Sequence, residues 1–327
     1  MLFGNGLRLL MENFKNVYKI LLYKTAVALI AIALSAAIVL PEFNDIWNST
    51  ITQEIIVKLR EMFALFFSGS AEWVVAKDAV FSANGLLRQL GDLIVSRALE
   101  ITLVSIGCVL IFLIKRFADA LCYFAVGGVI NDKMGKFAET RLSMSYLENF
   151  RKACVYALVY VPVAFVFDGT AIVVAFLLIQ NVNLLFALFL SVSVIVLLQC
   201  AKFICTWHWI PAMVTDNLRL RDAMKGLQGA PKKQTGRLFS CYLTSIYFVI
   251  IFNAAAALFT FGSALLITIP TSYLFFVCLH FVQYYTLTGK KYFIRLNKIA
   301  KNDDFGDPAN LLDPALTTQT AQENKKV

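Results

Sequence analysis

ACVYALVYVPVAFVFDGTAIVVAFLLIQNVNLLFALFLSVSVIVLLQCAKFIC, running from Ala153 to Cys205, is the stretch on which the fold turns. It is apolar along its length except at Asp168-Gly169-Thr170 and at Gln180-Asn181-Val182-Asn183. A helix needs about 20 apolar residues to cross the roughly 30 Å of hydrocarbon in a bilayer. The stretch is more than twice that long, so it holds two crossings and not one. The QNVN break is the better place for the chain to reverse, which predicts spans over 153–179 and 184–206.

Working outward, the same criterion finds four more spans. The first is 20–40, closed by Pro41 and preceded by the basic amphipathic lead MLFGNGLRLLMENFKNVYK, residues 1–19. Ser35-Ala36-Ala37 would suit a signal-peptide cut, but the lead is long and further spans follow, so an uncleaved first span is expected. The second covers 98–116, with Lys115-Arg116 marking its cytoplasmic end; the apolar stretch 117–130 is too short to cross and reads as interfacial or re-entrant, within a connector over 117–152. The last two are 238–261 and 263–287, turning near Gly262.

Composition agrees. Of 327 residues 59% are hydrophobic and 16% charged, with a mean hydropathy of +0.70. Soluble domains run at about 45–50% apolar and about 25% charged, so the bilayer is the expected solvent. The net charge of +9 does not point to nucleic acid, because basic residues flank the apolar runs and form no stripe with interleaved aromatics. Of the 30 basic residues only Lys58, Arg60, Lys77, Arg88 and Arg97 fall in the proposed outer stretch 41–97, and the two short outer turns hold none. The positive-inside rule then puts both termini in the cytoplasm of a multi-pass protein of the plasma membrane. The fold class is all-α: a polytopic bundle of six transmembrane helices, an outer helical cap and amphipathic cytoplasmic connectors.

In the cap, IIVKLREMFALFF (55–67) is expected to lie along the membrane surface, and Leu86, Leu87, Leu90 and Ile94 repeat at helical spacing ahead of the second span. The tail opens with KKYFIRLNKIAK, which reads as a basic amphipathic helix suited to anionic headgroups, and residues 302–327 read as disordered. Seven cysteines lie in or beside apolar runs, an odd number with none in the outer stretch, so no disulfide framework is expected.

Two cytoplasmic connectors resemble each other. Val129-Ile130-Asn131-Asp132 opens the first and Met213-Val214-Thr215-Asp216 the second (207–237), with Arg151 and Tyr156 matched by Arg237 and Tyr242. The pattern suggests two related hairpins, as internal repeats do in transporters. The second connector reads Ile210-Pro211-Ala212-Met213-Val214-Thr215-Asp216-Asn217, then Asp222-Ala223-Met224-Lys225-Gly226, then Thr235-Gly236-Arg237-Leu238-Phe239. This order resembles the linker of bacterial multi-pass membrane proteins related to the membrane domain that accompanies glycerophosphodiester phosphodiesterases. The likeness covers about a tenth of the chain and no phosphodiesterase domain follows. It implies a membrane architecture and no enzymatic activity.

Candidate chemistry is sparse. No HExxH, GxSxG, Walker loop or GxGxxG occurs, so no enzyme, metal or cofactor is expected. Asp168 lies within the third span, where a carboxylate faces a cavity or a partner unless it marks a bend, and it is the first candidate for a ligand or ion site. His280, in the sixth span, is the second, although its depth argues against a direct pair with Asp168. Trp207 and Trp209, with Arg219, Arg221, Lys225, Lys232 and Lys233, form a candidate lipid-headgroup cluster. Lys24 and Lys202 read as snorkelling residues. The functional expectation is a non-catalytic accessory or assembly component; the alternative is a transporter or lipid-handling protein that uses an intramembrane Asp and a basic inner rim. Membrane lipids, another membrane protein or a second copy of the chain are the candidate partners.

Overall fold

A bilayer offers no water to backbone amides, so an apolar run must satisfy its hydrogen bonds internally, as a helix does. In the computed structural model, which describes residues 2–68, 91–92, 95–136, 138–181, 184–225, 232–295 and 298–300, the apolar runs all do so. The helices are α1 (Leu2–Glu12), α2 (Lys15–Trp47), α3 (Thr50–Ser68), α4 (Ala98–Lys136), α5 (Leu142–Glu148) and α6 (Phe150–Asn181). They continue with α7 (Leu184–Thr206), α8 (Trp209–Thr215), α9 (Leu220–Lys225), α10 (Lys232–Thr260) and α11 (Leu265–Leu287). Six helical segments are long and apolar enough to span a membrane: α2, α4, α6, α7 running on into α8, α10 and α11. The protein is an all-α multi-pass membrane protein.

Several boundaries differ from the sequence reading. Helix α2 passes through Pro41 to Trp47. A proline removes one amide donor, but the helix continues on both sides of it. Helix α4 continues past Lys115-Arg116 to Lys136, so 117–130 is the second half of one long helix and not a separate interfacial segment. That half is the more packed one: apart from Tyr123, every residue from Ala120 to Ile130 is buried. Helix α6 runs unbroken through Asp168, with Thr170 Oγ1 donating back to the Val166 carbonyl at 2.8 Å. The reversal comes where QNVN placed it, between Asn181 and Leu184. The α10–α11 reversal uses positive φ at Phe261 (50°) and Gly262 (87°), a conformation that suits glycine.

The chain forms two compact units, Met1–Thr25 with Arg116–Val327, and Ala26–Lys115. The larger is built around α11, in which every residue from Val277 to Leu287 is buried. Helix α1 lies against it through its small and apolar face. A Cβ on Gly6 would meet Leu279 Cδ1 at 3.4 Å, and the Phe3 ring packs edge-on to Phe275 at 5.5 Å. A Cβ on Gly127 of α4 would stand 2.7 Å from Ile210 Cγ2 and 3.2 Å from the Phe281 ring, so glycine permits α4, α8 and α11 to converge there. Next to it, Ser145 of α5 donates to the Ala125 carbonyl at 2.8 Å.

After α11 the chain forms strands β1 (Tyr292–Arg295) and β2 (Lys298–Ala300), an antiparallel pair in place of the expected basic helix. The deciding pattern is the alternation of buried Tyr292 and Ile294, a period of two. Asn5 Nδ2 of α1 donates to Tyr292 Oη at 3.1 Å, which brings α1 and the strand pair together at one end of the unit, here called the terminal end.

In the smaller unit Arg97 pairs with Asp45 at 3.2 Å and Glu42 at 3.6 Å, and a Cβ on Gly107 would lie 3.4 Å from Ile38. These contacts hold the end of α2 to the start of α4. Of the expected cap, 55–67 lies in α3, whose start is capped by Ser49 Oγ accepting from Thr52 N at 3.3 Å. Leu86, Leu87, Leu90 and Ile94 lie outside the described residues, as do residues 301–327.

Candidate functional site

Helix α11 has 23 residues and is about 34 Å long, close to the hydrocarbon thickness, with Phe276 at its midpoint. The Phe203 ring of α7 stacks on Phe276 at 4.6 Å, and Lys202 is its neighbour. Tyr273 Oη donates to the Asp119 carbonyl of α4 at 2.8 Å, one turn from Arg116. Arg116 and Lys202 both lie within spanning helices.

Both converge on Asp168. Arg116 Nη2 lies 2.8 Å from Asp168 Oδ2, and Lys202 Nζ lies 2.8 Å from Oδ1. Gln199 Nε2 donates to the same Oδ1 at 2.8 Å. The carboxylate is thus held by α4 and by two residues of α7 one turn apart. Lys202, with 8% of its side chain exposed, is not a snorkelling residue. Lys24 likewise turns inward, its ammonium 3.5 Å from the centroid of Tyr273. Charges inside a membrane are costly and persist where they pair or face a pathway. Here two cations meet one carboxylate.

His280 does not touch Asp168. The ring of Phe203 stands between, 5.7 Å from His280 and 5.8 Å from the Lys202 ammonium. The imidazole sits among aromatics, with Tyr123 Oη 3.1 Å from Nδ1 and the Tyr242 ring at 5.6 Å. Its Nε2 has no hydrogen-bond partner, nor have Tyr242 Oη, both amide atoms of Gln283, and Thr286 Oγ1, all of them buried. His280, Gln283 and Thr286 recur every third residue on α11, so the orphaned atoms form a stripe leading from the charge cluster toward the terminal end. A buried polar atom left without a partner costs about 1–3 kcal/mol. Several in one stripe mark a place that water or a polar solute completes.

At the terminal end the two matched connectors meet. Thr215 Oγ1 donates to Asn131 Oδ1 at 2.7 Å, and Tyr285 Oη donates to the same oxygen at 3.0 Å. Asp216 accepts from Tyr284 Oη and pairs with Lys290. Positions that the sequence aligns between the connectors are thus in direct contact.

No protein-family model, curated protein or solved structure matches the chain. Its chemistry is read from its own residues.

The expected headgroup cluster divides. Trp207 and Trp209 are buried, Trp207 against Tyr284 at 6.2 Å and Trp209 against Tyr156 at 6.5 Å, and so belong to the core rather than to an aromatic belt. Arg219, Arg221 and Lys225 are exposed; the side chains of Lys232 and Lys233 lie outside the described residues. All seven cysteines are free. Among the described residues no group of three His, Cys, Asp or Glu side chains is placed to hold a metal.

The sequence reading missed Arg116, Gln199 and Lys202 as partners of Asp168. A signal existed. Measured from the reversal, Asp168 lies 13 residues before Asn181 and Gln199 15 after Leu184, about 20 and 22 Å down adjacent helices.

Proposed function

We propose that the protein is a plasma-membrane transporter that passes a small polar or charged solute along the interior of the larger unit. The observation that carries this reading is the Arg116–Asp168–Lys202 cluster inside the spanning helices. The stripe of unpartnered polar atoms from His280 to Thr286 supports it, because buried polar atoms without partners are what a polar solute would complete. The charge asymmetry of the loops supports cytoplasmic termini, and the absence of catalytic motifs supports a protein that moves its substrate unchanged.

The test is electrical. Protein reconstituted in liposomes on a solid-supported membrane is challenged with jumps of protons, chloride, phosphate and acetate. The wild type is expected to give a transient current with at least one, and Asp168→Asn combined with Lys202→Met, which preserves the net charge of the cluster, to reduce it at least tenfold. Wild-type liposomes that respond like empty ones to every ion would end the transport reading.

A second reading, an accessory or assembly component, is favoured by α2 and α4. No residue in the most apolar window of either helix is buried, which leaves long apolar flanks for a neighbouring membrane protein. Native mass spectrometry of gently extracted protein distinguishes the two, since only this reading requires a stoichiometric protein partner.

A further inference from the structure

A cavity opens at the terminal end of the larger unit, between the start of α2 and the end of α4. Lys15 and Lys19 line it from α2, Lys133 from α4, and Arg141 from the entry to α5. The only carboxylate lining it is Glu139, whose Oε1 lies 2.6 Å from Lys15 Nζ and 3.8 Å from Lys133 Nζ. That contact with Lys15 holds the Glu139 carboxyl below the ordinary range of a glutamate. Lys15 and Lys133 thus share Glu139. Lys19 and Arg141 make no ion pair among the described residues. Asn16, 4% exposed, lines the same cavity, and its amide makes no hydrogen bond among them.

We propose that this cavity is a binding site for a phosphate-type oxyanion, with Glu139 occupying part of it until the anion arrives. Arg141 offers a planar fork that matches two phosphate oxygens, the lysines supply point charges, and the Asn16 amide supplies a neutral donor. Lys15 is the first residue of a spanning helix, so the cavity lies at headgroup level, within reach of a lipid phosphate and of phosphate in solution. The exposed cations on Arg219, Arg221 and Lys225, by contrast, surround no such cavity. This proposal does not rest on the transport reading and stands or falls apart from it.

The test uses the full chain in phosphatidylcholine nanodiscs, with phosphatidylglycerol as one probe and inorganic phosphate as the other, read by native mass spectrometry and by thermal shift. Lys19→Gln combined with Arg141→Gln is expected to weaken binding of the responding probe by about 25-fold, about fivefold for each cation removed near the surface. Both side chains are exposed, so the variant should fold, and its unliganded melting temperature checks this. Glu139→Gln should bind several-fold tighter, an effect that general loss of structure cannot produce. Retention of phosphatidylglycerol, lost in the double variant and unaffected by inorganic phosphate, identifies a lipid headgroup site; a phosphate response without lipid retention identifies a soluble anion. If Lys225→Gln weakens binding as much as the double variant, or if wild type and double variant bind both probes alike, the proposal is overturned.

Discussion

At the scale of single residues, Asp168 shows why a charge in an apolar run is best read together with its possible partners. Taken alone it could be a bend, a turn or a ligand; taken with Gln199 and Lys202, one helix away at matching depth, it is an ion-pair acceptor. Arg116 was harder to recognise. A basic pair that closes an apolar run has the same sequence signature as a cytoplasmic boundary, and only the third dimension brings Asp168 to within 2.8 Å of it. Lys202 is buried while Asp168 and Arg116 are partly exposed, so removing the carboxylate costs less than the roughly 3–5 kcal/mol of a fully buried pair. Asp168→Asn alone is therefore expected to lower the melting temperature in detergent, since it strands two cations. The added Lys202→Met should recover most of the loss, because a thioether fills the ammonium's space without its charge. A double variant no more stable than Asp168→Asn would mean that the cluster does not act as a unit.

At the scale of elements, the reversals were legible and the continuations were not. QNVN and Phe261-Gly262 interrupt the apolar run with residues that suit a turn, and in both places the chain does reverse. Pro41 and Lys115-Arg116 carry equally strong punctuation, but the helices pass through both, and in α4 it is the packing of Ala120 to Ile130, which a linear pattern does not display, that lies beyond the basic pair. The tail was ambiguous for a related reason. In KKYFIRLNKIAK apolar residues satisfy a helical spacing and an alternating one, and the packing of Tyr292 and Ile294 selects the strand. Close helix approach gives the prediction for this scale. Gly127 is one helical residue among many in the sequence, but a methyl group there would sit 2.7 Å from Ile210 and 3.2 Å from Phe281. Gly127→Ala is expected to destabilise the larger unit by about 1–3 kcal/mol through overpacking, read as a lower melting temperature, whereas Gly4→Ala, which meets nothing within 4 Å, should be neutral. Equal behaviour of the two variants would show that α4, α8 and α11 do not converge as tightly as the packing indicates.

At the scale of the whole molecule, the larger unit concentrates its packing and its polar contacts at one end. The buried parts of α1, α4, α8 and α11 gather at the terminal end, and there too lie the oxyanion cavity, the joined connectors and the Asp216–Lys290 pair. The basic residues that carry the topology signal are thus in part the same residues that line a site: Lys15, Lys19, Lys133 and Arg141 count toward the positive-inside bias whether or not they bind anything. Orientation therefore has to be measured independently of them. Asn48, in the reversal between α2 and α3, and Glu12, at the end of α1, lie at opposite ends of the first span. With wild type as the background for the native cysteines, Asn48→Cys is expected to react with a membrane-impermeant maleimide applied to intact cells, and Glu12→Cys only after the cells are opened. The reverse pattern would put the termini outside, and the cavity would then face the outer leaflet and the solutes beyond it. The lysines and the arginine would in that case stand against the topology rule instead of with it. Placed there at the expense of the rule, they would have binding, and not insertion, as the reason for their presence.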